Sequence, residues 1–261
     1  MLLITAYIIA LFITSLGFIQ FIYFISISYG FSVASIGIFL FFKIKKTPIQ
    51  ILFSLLYIVY GLRLGLFILI REFDEHYNKK IFQGLLKTNQ TPIVKKIIIW
   101  VLCALLYTLQ TSPLTFRIMS DGNDNDILSY IGFAISIFGF IFEIKADREK
   151  SNAKKINPKR FVDTGLYRIV RCANYFGEVI FWTGNFIAGL QIYEGAFQWL
   201  MSIFGYILII YIMFSGARRL EIRHDEYYGK DPDYQKYKKA TPILIPFLPL
   251  YSVKKYTWLR G

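Results

Sequence analysis

Met1 to Phe42 contains no Asp, Glu, Lys, Arg or His. One helix of that length, at about 1.5 Å per residue, would run roughly 63 Å, about twice the hydrocarbon core of a bilayer. The run must therefore cross, reverse and cross again. The expected reversal is "SISYG", Ser26 to Gly30, where small polar residues and a glycine suit a turn. No positive charge precedes the run, as a secretory signal would need, so it reads as a retained first span. A hydrophobic fraction of 55% and a mean hydropathy of +0.46 exclude an ordinary soluble domain.

Further apolar runs cover roughly 48–70, 97–113, 127–144, 176–193 and 198–216. Together with the first pair they predict an all-α, polytopic membrane bundle of about seven helices, read as a single integral membrane domain over 1–261. Seven alternating spans place loop 71–96, loop 145–175 and tail 217–261 on one side, and these hold 25 of the 30 Lys and Arg residues. The other side holds Lys43, Lys45, Lys46 and Arg117, with Asp121, Asp124 and Asp126. That bias predicts an amino terminus outside and a carboxyl terminus in the cytoplasm, in a bacterial inner membrane or the endoplasmic reticulum. The net charge of +13 follows from this topology and from attraction to anionic lipid. With no nucleic-acid module, nucleic acid is not an expected partner. Cys103 and Cys172 lack metal-ligand spacing, so no metal site is implied. Nothing in the sequence fixes an oligomeric state.

Several polar residues stand where hydrophobic surroundings make them costly. Arg63 lies midway through a span, where a cation either pairs with a carboxylate, snorkels, or serves a functional cavity. Tyr60 is three residues earlier on the same helical face, where a phenol beside a cation suits a general acid. Glu143 and Asp147 share a face at the end of a span, either as solvated helix-end charges or as acceptors for ribose hydroxyls or a carboxamide. In "GLYRIVRCANYFGEVIFW", residues 165–182, Arg168 and Arg171 offer forked donors suited to phosphate, and Asn174 offers an amide donor and acceptor. Tyr175 and Glu178 follow, the carboxylate also being favoured by a helix N-terminus. In the tail, His224 reads as a surface histidine or a cofactor-side group, and Tyr228 as a ring able to face a cofactor. No GxGxxG or GxxxxGK[ST] loop occurs, so any nucleotide binds between helices and loops.

Three blocks in order, "ADREK" at 146–150, "GLYRIVRCANYFGE" at 165–178 and "YYGKDPDYQKYKKATPILIPF" at 227–247, resemble the steroid 5-alpha-reductase superfamily and its bacterial-type, DUF1295-like branch. The resemblance runs from about Leu55 to Pro249. It implies a cytosolic NADPH pocket capped by loops, with a substrate cavity in spans 1–113 and the cofactor in 127–261. It also implies NADPH-dependent reduction of a carbon–carbon double bond in a lipophilic substrate, steroid-like, isoprenoid or enoyl. Asp147, Arg171, Asn174, Tyr175 and Glu178 are then cofactor contacts, Lys154 and Arg168 phosphate partners, and His224 and Tyr228 further cofactor-side groups. Tyr60 and Arg63 match a Tyr-x-x-Arg arrangement whose tyrosine polarises the substrate carbonyl.

The chain departs from the family pattern at Cys172 and Ala173, which replace a usual His-Pro. The second departure is in the second span, where Ser26 and Ser28 occur and the family's acidic residue does not. Two other classes fit part of the pattern: an S-adenosylmethionine-dependent methyltransferase of the isoprenylcysteine carboxyl methyltransferase type, and a noncatalytic scaffold.

Overall fold

The computed structural model describes residues 1–44, 47–72, 91–120 and 126–259. Lys45, Lys46, Asp121, Asp124 and most of the basic loop 71–96 lie outside the described residues. Among those described, all regular structure is helical. The helices are α1 Leu2–Thr14, α2 Ile27–Phe41, α3 Pro48–Glu72, α4 Ile93–Gln110, α5 Ser112–Met119, α6 Ile127–Ile156, α7 Ala173–Gly189, α8 Gly195–Tyr228 and α9 Pro232–Ala240. Phe21–Phe41, Pro48–Ile70, Ile93–Gln110, Ile127–Ile156 and Gly195–Tyr228 are long and apolar enough to cross a membrane. Leu2–Phe18 is apolar but shorter, and the 17 residues of α7 stand where the 176–193 run was expected. These helices are roughly consistent with the seven expected spans, and the protein is an integral membrane protein.

The first reversal lies earlier than the sequence suggested. Ser26 is the last residue before α2, and Ile27–Gly30 forms the first turn of that helix. The chain instead breaks at the 3-10 turns Ser15–Phe18 and Phe21–Phe24, with extended backbone at Gln20 between them. Irregular backbone at membrane depth needs its polar groups satisfied by protein. Side chains from other helices meet that need here. Trp100 Nε1 donates to the Leu11 carbonyl (2.8 Å), Tyr107 Oη to that of Phe24 (2.7 Å), and Ser28 Oγ to that of Ile13 (3.2 Å).

The chain forms two compact units: residues 1–133 with 186–205, and residues 134–185 with 206–261. In the first, α2 and α3 meet backbone to backbone. A Cβ on Gly30 would stand 2.5 Å from the Gly65 nitrogen and 2.7 Å from the Gly61 oxygen, and one on Gly61 would strike the Gly30 oxygen and Ala34 nitrogen. Small residues allow this approach, which in lipid is a main source of helix association.

Arg117, expected among solvent-side charges, is instead 1% exposed in this unit. Its guanidinium pairs with Asp126 at 2.8 Å and donates to the Ala188 carbonyl. A buried cation persists only with such full pairing.

In the second unit α6 and α7 use the same device. A Cβ on Gly139 would lie 2.7 Å from the Gly177 oxygen, and one on Gly177 would lie 2.7 Å from the Glu143 nitrogen. Ser136 Oγ donates to the Phe181 carbonyl (2.9 Å) across the same pair of helices.

Gly61→Leu forces α2 and α3 apart. Thermal unfolding in detergent should show a loss of about 1–3 kcal/mol or more, the cost of overpacking. Leu66→Ala, on an exposed position of α3, should leave the transition nearly unchanged.

Candidate functional site

The second unit holds ten of the residues singled out for chemistry, and its carboxyl-terminal segment is fastened to one of them, Arg171. Arg171 and Cys172 donate their main-chain N–H groups to the carbonyls of Pro242 and Ile243, both at 2.9 Å. The Arg171 side chain is buried. Its guanidinium donates to the Thr241 carbonyl (3.2 Å), to Glu221 Oε1 (3.2 Å) and to the Tyr251 carbonyl. Glu221, also buried, accepts from the Val253 N–H (2.9 Å) and pairs with Lys238 Nζ (3.5 Å). Asp225, one turn further along α8, takes Lys238 Nζ at 2.7 Å, Lys254 Nζ at 3.2 Å and the Tyr234 hydroxyl at 3.1 Å. Arg171, expected against a cofactor, thus has its guanidinium engaged with the protein's own carboxylate and tail carbonyls.

The block "YYGKDPDYQKYKKA" builds the other side of this clamp. Asp231 caps α9 by accepting from the Asp233 N–H (2.9 Å), and Pro232 occupies the first helical turn, where a missing N–H costs nothing. Tyr234, Tyr237 and Lys238 then share a face. Phe161 stacks on Tyr237 (5.5 Å between centroids) and meets Tyr234 and Tyr228 edge-on. The Tyr237 hydroxyl donates to the Tyr167 carbonyl at 2.6 Å.

His224 is not a surface histidine. It is half-buried, 5.5 Å from the Tyr228 ring and 6.4 Å from that of Tyr234. Lys154 Nζ donates to the Tyr228 hydroxyl (3.0 Å) and to the carbonyls of Pro158 and Arg160. Arg168, in the 3-10 turn Gly165–Arg168, is exposed.

Asn174 and Glu178 lie one turn apart at the start of α7, and Glu143 and Asp147 one turn apart on α6. All three carboxylates are buried. The α6–α7 glycine crossing puts Gly177, beside Glu178, directly on the backbone of Glu143. The Tyr175 ring lies against α8 at Gly216, 3.1 Å from where a Cβ would stand. Asn174 Oδ1 and the Tyr167 hydroxyl are among the buried oxygens with no hydrogen-bond partner among the described residues. Burial, with Asp147 nearby, pushes the Tyr167 phenol well above its usual range, so it stays protonated and able to donate. Sequence reasoning did not single out Tyr167, although it sits within the quoted block. Cys172, where the family pattern has a histidine, is pushed up to about 12 by burial and supplies no base at neutral pH.

Tyr60 and Arg63 belong to the first unit. Tyr60 is wholly buried, and its hydroxyl lies 3.2 Å from that of Tyr29 on α2. The Arg63 guanidinium lies over the Phe67 ring at 5.2 Å, a cation–π contact within α3.

A family model described as "Protein of unknown function (DUF1295)" matches residues 6–241. The chain belongs to this family, within the steroid 5-alpha-reductase superfamily. The chain shares 27% identity over 187 residues with the Bos taurus protein named 3-oxo-5-alpha-steroid 4-dehydrogenase 1, covering 69% of this chain and 67% of that one. The Mus musculus protein of the same name is 27% identical over 187 residues, covering 69% and 68%. The Homo sapiens one is 31% identical over 120 residues, covering 45% and 41%. No solved structure matches the chain significantly.

Glu221→Ala leaves the buried Arg171 guanidinium without its carboxylate, a change worth about 3–5 kcal/mol. Limited proteolysis in detergent should then cut within 241–259, a segment that stays intact in the unaltered protein. Cys172 should resist maleimide at pH 8 in the folded state and react once the protein is unfolded in dodecyl sulfate, as read by mass spectrometry.

Proposed function

We propose that this protein is an NADPH-dependent membrane reductase of a carbon–carbon double bond conjugated to a carbonyl in a lipophilic substrate. The relatives' shared name describes dehydrogenation at position 4 of a 3-oxo-5-alpha-steroid. Read in the opposite direction, that reaction reduces a 4-ene-3-one. The observation that carries the cofactor half of the reading is the Asn174 carbonyl oxygen, buried at a helix start with no partner among the described residues. Unsatisfied buried oxygens are costly, and a nicotinamide carboxamide offers the N–H donor this one lacks.

In this reading Asn174 and Tyr167 meet polar groups of the bound nucleotide, and Asp147 and Glu178 accept from its hydroxyl or amide groups. Tyr175 and Tyr228 present ring faces, and His224 lies beside Tyr228. Arg168 and Lys154 supply positive charge for phosphates. Arg171 acts through Glu221, holding the tail segment that borders these groups. NADPH, when bound, supplies the hydride for the β-carbon. Tyr60 then holds a proton at its hydroxyl for the substrate carbonyl oxygen, and Arg63, one turn on, places positive charge on the same face of α3. The nucleotide side is read as cytoplasmic, from the distribution of Lys and Arg.

Purified protein in detergent should melt at a higher temperature with NADPH, by an amount that grows with concentration above the dissociation constant. Titration calorimetry should rank NADPH above NADH and S-adenosylmethionine. Asn174→Ala should weaken NADPH by roughly 3- to 10-fold, the worth of one neutral hydrogen bond. Selective binding of S-adenosylmethionine would move the protein to the methyltransferase class, and binding of none of the three would leave a noncatalytic scaffold.

A further inference from the structure

The second span lacks a carboxylate, yet it brings a polar side chain to Tyr60. Tyr29 stands on α2 immediately before Gly30, and Tyr60 on α3 immediately before Gly61. Gly30 and Gly61 are the residues whose missing side chains let the two backbones touch. That approach brings two hydroxyls on short, stiff side chains to 3.2 Å, and both phenols are buried. The Tyr29 ring is itself held. It stacks on Tyr107 of α4 (5.3 Å between centroids, 27° between planes), and the Tyr107 hydroxyl is tied to the Phe24 carbonyl at 2.7 Å. Tyr57 and Arg63 lie three residues either side of Tyr60 along α3, and Cys103 lies one turn before Tyr107 along α4.

We propose that Tyr29 is the positioning residue for Tyr60, its O–H standing beside the Tyr60 hydroxyl in a second span that has no carboxylate. The proposal rests on the reductase reading above. Hydride adds to the β-carbon, and the π electron pair of the double bond moves toward the carbonyl oxygen. The Tyr60 O–H bond breaks, its proton bonds to that oxygen to give an enol, and the electron pair stays on the Tyr60 oxygen. Tyr29 donates its hydrogen bond to that developing phenolate, and a donor to an anion is stronger than one to a neutral group. Water later returns the proton to Tyr60, and the enol tautomerises to the saturated ketone. The substrate gains two electrons and NADPH loses two. A carboxylate partner, charged at neutral pH, would repel the same phenolate.

The test uses the full chain in detergent with 3,5-difluorotyrosine at position 60, whose ionisation is followed by 19F resonance without substrate or cofactor. Tyr29→Phe should raise that ionisation midpoint, because the phenolate loses a donor, while the melting temperature stays within about 3 °C of the parent. Tyr29→His, which keeps an N–H donor, should restore part of the shift and serves if the Phe variant does not fold. With a 4-ene-3-oxosteroid and NADPH, Tyr29→Phe should lower kcat about 10-fold or more with KM nearly unchanged. It should add nothing in a Tyr60→Phe background. An unmoved midpoint in the variants overturns the proposal, as does an additive loss in the double variant. A moved midpoint in a protein that reduces no 4-ene-3-oxosteroid upholds the pair and rejects the reductase reading.

Discussion

Backbone touching backbone across glycine is the constraint on which both units depend. In lipid, apolar side chains gain little by leaving one apolar neighbour for another, so helices associate where shape lets them come close. The Gly30–Gly61 crossing does this for α2 and α3, and the Gly139–Gly177 crossing for α6 and α7. Each places chemistry-bearing residues beside the point of contact: Tyr29 and Tyr60 in one unit, Glu143 and Glu178 in the other. Glycine thereby fixes side chains it does not itself contain. A larger residue at either crossing would move the helix axes and, with them, the side chains beside the contact.

The polar half of the second unit is organised around Glu221. One buried carboxylate collects a guanidinium from the start of the α7 segment, an ammonium from α9 and a main-chain N–H from the tail. Three stretches distant in sequence are thus fastened to α8 at one level. Arg171 has so many partners within the chain that its charge serves the architecture first. The exposed Arg168, three residues earlier, retains the freedom to meet an anion.

Composition and charge made the membrane bundle readable, because a hydrocarbon solvent imposes length and apolarity on every crossing. The reversal after α1 was misplaced for a tertiary reason. Its irregular backbone is made tolerable by Trp100 and Tyr107, roughly eighty residues away, which no local pattern reveals. Arg117 reads as a solvent-side charge in the sequence because its partner Asp126 lies nine residues on and its second partner, Ala188, far along the chain. The block around Asn174 was legible as a polar doorstep to a helix, and the structure keeps its asparagine oxygen unsatisfied by the described residues. Tyr29 carries no local signal as a partner for Tyr60, because thirty-one residues separate them and the glycine crossing alone brings the two phenols together.

One further consequence concerns α8. Its 34 residues span about 51 Å as a continuous helix, whereas its uncharged stretch from Gly195 to Ala217 accounts for only about 35 Å. The remainder is a rigid post carrying Glu221, His224, Asp225 and Tyr228 clear of the hydrocarbon. The helix is therefore a ruler, setting the height of these groups beyond its uncharged stretch. Adding or removing a single residue in the buried part would shift that height by only about 1.5 Å but turn every group on the post by about 100°.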